Sequence, residues 1–126
     1  MYMAIAVAVG GAIGAVSRYW ISNYVQHVTG GGFPWGTLAV NVLGCAILGV
    51  VVQLMAHVWS PSEHVRGLLI SGLLGALTTF SAFSLEIVLM IEQNDWMGAA
   101  IYVAFSVILC VGGALGTMYL TRLLVL

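Results

Sequence analysis

The stretch Gly72-Leu-Leu-Gly-Ala-Leu-Thr-Thr-Phe-Ser-Ala-Phe-Ser-Leu-Glu86 crowds hydroxyls, two phenylalanines and a carboxylate into an apolar run. In hydrocarbon every polar group needs a partner inside the protein, so such a stretch at membrane depth lines something other than lipid. It reads as the wall of a permeation pathway. Phe80 and Phe83 share a face if the segment is helical, and a phenyl ring carries a positive edge. Two edges turned toward a narrow passage stabilise a partly dehydrated anion without the trap a full positive charge would create. Ser81 and Ser84 add donors on an adjoining face. Donors and ring edges without a basic ring suit a small anion that must leave quickly. The alternative is that both rings are ordinary core or lipid-facing residues.

Other polar residues extend this constellation. Asn41 must bond either another helix or a conducted species through its amide, and Thr37 lies one turn earlier on the same face. Tyr102, Ser106 and Cys110 repeat every four residues, again on one face, although hydroxyls also bond the carbonyl a turn back. Arg18 and Glu86 are ionisable groups in or near the membrane, where an unpaired charge costs at least ~2.5 kcal/mol. Both should face protein or water. Snorkelling to the headgroups is the alternative for Arg18, and interfacial solvation or a neutral carboxyl for Glu86.

The elements that position these residues follow from composition. Hydrophobic residues make up 62% of the chain and charged ones 6%, against about a quarter charged in globular chains, and mean hydropathy is +1.12. No Asp, Glu, Lys or Arg occurs between Arg18 and Glu63. A crossing needs roughly 20 apolar residues, so the chain reads as one membrane domain of four helices, multi-pass in a lipid bilayer. Catalysis on a soluble substrate is not expected, nor is a nucleic-acid partner. The N-terminus has no basic region or small-residue cleavage site before its apolar run, and is read as a first retained helix. Cys45 and Cys110 fall within spans and show no disulfide framework or metal-ligand spacing.

Breaks in the apolar pattern predict spans at about 2–24, 36–58, 65–92 and 96–124. The first should end before the polar, glycine-rich Gln26-His-Val-Thr-Gly-Gly-Gly32 turn, with Trp35 an interface anchor. A serine beside Pro61 could cap the third helix. That helix is longer than a crossing requires and is interrupted by Gly72, Gly75 and the pair Thr78-Thr79, which predicts a break near its middle. Arg66 and Arg122 lie on the side of the termini and Arg18 toward the other, with no lysine. So weak a bias predicts insertion in both orientations, as an antiparallel homodimer needs. Small residues such as Gly10, Gly14, Gly112 and Gly116 permit close helix contact, within one chain or between chains.

Three blocks now resemble a known family. Gly10-Gly-Ala-Ile-Gly-Ala-Val-Ser-Arg-Tyr19, Trp35-Gly-Thr-Leu-Ala-Val-Asn-Val-Leu-Gly44 and the Gly72 to Glu86 stretch look like the signature blocks of the Fluc (CrcB-type) fluoride channels, in order along the whole chain. The resemblance implies a dual-topology homodimer with two antiparallel pores in a bacterial plasma (inner) membrane, exporting fluoride from the cytoplasm passively and electrogenically and so reducing its toxicity. Phe80 and Phe83 match the family's paired phenylalanines and Asn41 its pore asparagine. Thr37, Ser81, Ser84, Tyr102 and Ser106 fall at hydroxyl-bearing pore positions. Gly75 and Thr78 fall at the helix break, where similar proteins hold a structural sodium ion through backbone carbonyls at the dimer interface. Arg18 matches the arginine of the aqueous vestibule. Ala82 departs from the pattern, which expects Thr or Ser there, and Cys110 stands where the family has a hydroxyl.

Two other classes are compatible with four short helices. One is a small dual-topology, proton-coupled exporter, whose key glutamate belongs in the first helix; here Glu86 is the only candidate. The other is a nonconducting assembly subunit, which leaves the Asn, Phe and hydroxyl constellation without a use.

Overall fold

The computed structural model describes all residues from Met1 to Leu126. The chain is all-helical, with four helices long and apolar enough to cross a membrane: α1 (Tyr2–Thr29), α2 (Trp35–His57), α3 (Glu63–Glu92) and α4 (Trp96–Val125). At 1.5 Å per residue, α1 extends roughly 42 Å and α4 roughly 45 Å, more than the ~30 Å hydrocarbon core. Their ends therefore reach the headgroup region or beyond.

The expectation that the first helix ends near Tyr24 is corrected. It continues through the polar residues to Thr29 and stops at Gly30, whose φ of 60° suits a residue without Cβ. The reason is the side chain of Gln26. Its Nε2 donates to the Phe33 carbonyl at 3.1 Å, and its Oε1 accepts from the Gly36 N–H at 3.1 Å. The last turn of α1 thus satisfies an orphan donor in the first turn of α2, which has no side-chain cap of its own. At the other bends local capping suffices. Ser62, after Pro61, accepts from the Val65 N–H, and Asp95 accepts from the Gly98 N–H at 2.9 Å.

The third helix is interrupted, at a narrower place than its glycines indicated. Gly67–Leu74 winds as a wider π-helix, the chain regains α geometry over Gly75–Leu77, and only Thr78 and Thr79 are extended before Phe80–Glu92 resumes. Gly72 and Gly75 do not break the helix. Gly72 serves packing, since a Cβ there would lie 2.7 Å from the Val7 carbonyl oxygen. Gly10 and Gly14 of α1 complete the same seam: a Cβ on either would run into the backbone carbonyls of Leu68 and Leu73. Gly112 and Gly116 of α4 have nothing within 4 Å. One small-residue pair packs within the chain and the other faces outward.

The helices pair as α1 against the first half of α3, and α2 against α4. The α2–α4 pair runs parallel, since Thr37 and Tyr102 meet on Glu86, Asn41 and Ser106 share a cavity, and Gly49 abuts Ala114. Thr117 Oγ1 donates to the Ala46 carbonyl at 2.8 Å and fixes the register. A small core of Leu38, Phe83, Met90, Ala99 and Tyr102 fills the angle between α2, α4 and the second half of α3. Only 20 of 126 residues are buried, so most of the apolar surface faces outward, toward lipid or another chain.

Candidate functional site

Asn41 and Thr79 organise the site. Thr79 is extended, so its N–H and C=O cannot join a helical ladder, and at membrane depth they need partners. Asn41 supplies both: its Oδ1 accepts from the Thr79 N–H at 2.7 Å, and its Nδ2 donates to the Thr79 carbonyl at 3.1 Å. Of the two roles open to Asn41, the interhelical bond is present, and one amide hydrogen remains. Thr79 Oγ1 then accepts from the Ala82 N–H at 3.2 Å and restarts the helix. Thr79 is the residue that sequence reasoning missed. Its signal was available, a threonine three residues before a free helical N–H.

These same bonds leave two carbonyls without their regular donors. Thr79 N–H goes to Asn41, so it does not reach the Gly75 carbonyl, and Ala82 N–H goes to Thr79 Oγ1, so it does not reach that of Thr78. Gly75 lies on an exposed face, whereas the Thr78 hydroxyl is tied back to the Leu74 carbonyl at 3.1 Å. Carbonyl oxygens are the donor set for a hard cation. No group of three or more His, Cys, Asp or Glu offers an alternative metal site.

Two cavities flank the break, and Thr79 lines both. The wider, about 610 Å³, takes Arg18, Asn23, Thr37, Ser81 and Ala82 among its walls and has no acidic residue. The narrower, about 330 Å³, is lined by Asn41, Thr78, Phe80, Phe83 and Ser106, with Cys45 and Cys110. It contains no charged side chain. The Ser106 hydroxyl oxygen is buried there without a hydrogen-bond partner.

Phe80 and Phe83 keep the shared face expected of them but differ in exposure. Phe83 is 8% exposed and packs on Tyr102 with ring centroids 5.0 Å apart; Phe80 is 78% exposed. Their rings still touch, 5.5 Å apart and tilted by 48°, and both border the narrow cavity. The helix turns about 100° per residue, so a spacing of three leaves them some 60° apart, enough to bury one and expose the other.

Glu86 lies outside both cavities and is held by hydroxyls. Thr37 Oγ1 donates to Oε1 at 2.5 Å and Tyr102 OH to Oε2 at 2.6 Å. This cluster ties α2, α3 and α4 together, and satisfies in one place the carboxylate and two of the predicted pore hydroxyls. Ser84 is partly buried but lines neither cavity. Arg18 lines the wide cavity.

A family profile described as CrcB-like protein, Camphor Resistance (CrcB), matches residues 5–118. The chain belongs to the CrcB family. Among its curated CrcB-type relatives, a protein of Rhizobium johnstonii is 44% identical over 124 residues, covering 98% of this chain and 99% of the relative. One of Rhodospirillum centenum is 45% identical over 97% of both chains, and one of Shewanella sp. strain ANA-3 is 49% identical over 82% of this chain and 83% of its own. Each bears the name "Fluoride-specific ion channel FluC".

Proposed function

We propose that this CrcB-family chain is a fluoride channel, not an enzyme, giving passive and electrogenic export of fluoride across a bacterial plasma membrane. The observation that carries the reading is the match, over nearly the whole chain, to relatives named as fluoride-specific ion channels. The site's chemistry agrees with it. Arg18 gives the wide cavity a positive charge that draws anions in. The narrow cavity offers only neutral groups, among them the Phe80 and Phe83 rings, the remaining Asn41 amide hydrogen and the Ser106 hydroxyl. Such groups replace part of an anion's hydration without holding it long.

The functional unit in this reading is an antiparallel homodimer. Phe80, a pore residue left 78% exposed by its own chain, and the uncovered Gly112 to Gly116 face of α4 both call for a partner. The Gly75 and Thr78 carbonyls of the two chains would hold a structural sodium ion on the axis, replacing part of its hydration shell with carbonyl dipoles and staying out of the anion's path. A proton-coupled exporter would have to work through Glu86, both of whose oxygens already accept hydroxyl bonds.

Phe80→Ile tests the assignment most cleanly, because the exposed ring contributes little to the chain's own core. Losing one aromatic contact of ~0.5–1.5 kcal/mol should slow fluoride efflux from proteoliposomes about two- to tenfold. Wild-type flux in a folded Phe80→Ile protein would remove the ring from the pathway.

A further inference from the structure

Cys45 of α2 and Cys110 of α4 line the narrow cavity about one helical turn beyond Asn41 and Ser106. Both thiols are free and partly buried, and both belong to the wall of this one cavity. The parallel packing of α2 and α4, pinned by the Thr117 to Ala46 bond, holds the two residues at one level. Ser106 supplies an independent sign of a ligand space. It is 6% exposed, lines this cavity, and its oxygen has no partner.

The composition of the walls decides which ligand fits. A hard cation would want several oxygen donors at the thiol level, and structural zinc would want four ligands. No third His, Cys, Asp or Glu joins the pair. Two sulfurs alone match a soft cation that accepts two thiolates in line. Charge adds a further condition, because an ionic adduct is expensive in apolar surroundings. A divalent ion meeting two thiols gives a neutral bis-thiolate and releases two protons to water, with two S–H bonds broken, two S–metal bonds formed and no change of oxidation state.

We propose that Cys45 and Cys110 form a two-sulfur site for a soft divalent cation of the mercuric kind, and that its occupancy plugs the cavity bordered by Phe80 and Phe83. The plug rests on the fluoride reading; the site itself does not.

The test is a titration of the reduced, desalted full-length protein with mercuric ion, read by calorimetry in two buffers, intact mass and maleimide labelling. One ion per chain should bind, two protons should leave, and both thiols should become unreactive at one equivalent. Because the second donor acts at a high effective concentration, Cys45→Ser and Cys110→Ser should each bind ~10²–10⁴-fold more weakly. Two independent ions per chain, a thiol still reactive at one equivalent, or single variants binding like wild type would overturn the site. In proteoliposomes, mercuric ion should arrest wild-type fluoride efflux, dithiothreitol should restore it, and the double variant, which has no thiol left, should keep its own rate. Unchanged wild-type flux with the ion bound across both sulfurs overturns the plug. Absence of any wild-type flux before mercuric ion is added counts against the fluoride reading, with the titration still deciding the site.

Discussion

At the scale of single residues, Asn41 has a structural duty that precedes any contact with an anion. Its amide replaces the helical partners that Thr79 lost, as donor to the carbonyl and acceptor from the N–H. Asn41→Leu orphans both, at about 1–3 kcal/mol each, and should lower the unfolding temperature and abolish flux together. Asn41→Asp separates the two roles. It keeps an acceptor for the Thr79 N–H but sets a carboxylate against the Thr79 carbonyl and removes the amide's donor toward the cavity. Fluoride flux should fall at least tenfold while the unfolding temperature drops less than in Asn41→Leu; wild-type flux in the Asp variant would leave Asn41 as a bond between helices only. The need for a partner was legible in the sequence, because an amide in a 23-residue apolar helix must bond something. The partner was not, since Thr79 lies 38 positions away and its peptide becomes available only after the helix breaks. Glu86 shows the same limit: its isolation among apolar residues marked it, but the Thr37 and Tyr102 hydroxyls that satisfy it come from two other helices.

At the scale of elements, glycines with identical spacing have different uses, and only packing tells them apart. Gly14 lies against the Leu73 backbone, which cannot give way as a flexible side chain would, whereas Gly116 meets nothing within its own chain. Gly14→Val should therefore destabilise the protein by about 1–3 kcal/mol or prevent folding. Gly116→Val should leave the chain's fold intact and weaken association between chains. The comparison is made by thermal unfolding in detergent alongside cross-linking of the dimer; equal effects on both readouts from the two variants would contradict the division. Four crossings and one interruption were readable because apolar length and weak helix formers are local properties. The end of α1 was misplaced because Gln26, a polar residue that normally marks a turn, holds the following loop from inside the helix. The π-helical Gly67–Leu74 segment had no sequence signature apart from glycine, and the unequal exposure of Phe80 and Phe83 arises because a spacing of three straddles the boundary between core and exterior.

At the scale of the whole molecule, a chain that buries 20 of its 126 residues leaves most of its apolar surface to lipid or to another chain. The proposed second copy in the opposite orientation would cover the exposed Phe80, the open face of α4 and the carbonyls freed at Gly75 and Thr78 together. Crystals of the assembly grown with thallium in place of sodium should show antiparallel chains and an anomalous peak on their common axis beside those carbonyls. Parallel chains, or an axis without a peak and a dimer whose stability is indifferent to sodium, would contradict that arrangement. Conduction itself is tested directly by a fluoride electrode on proteoliposomes loaded with potassium fluoride, with no pH gradient. Efflux should start only when valinomycin lets potassium balance the charge, and chloride should not follow by the same route. Efflux that ignores valinomycin and instead tracks an imposed pH gradient, or no efflux at all from the folded protein, would contradict a passive fluoride channel.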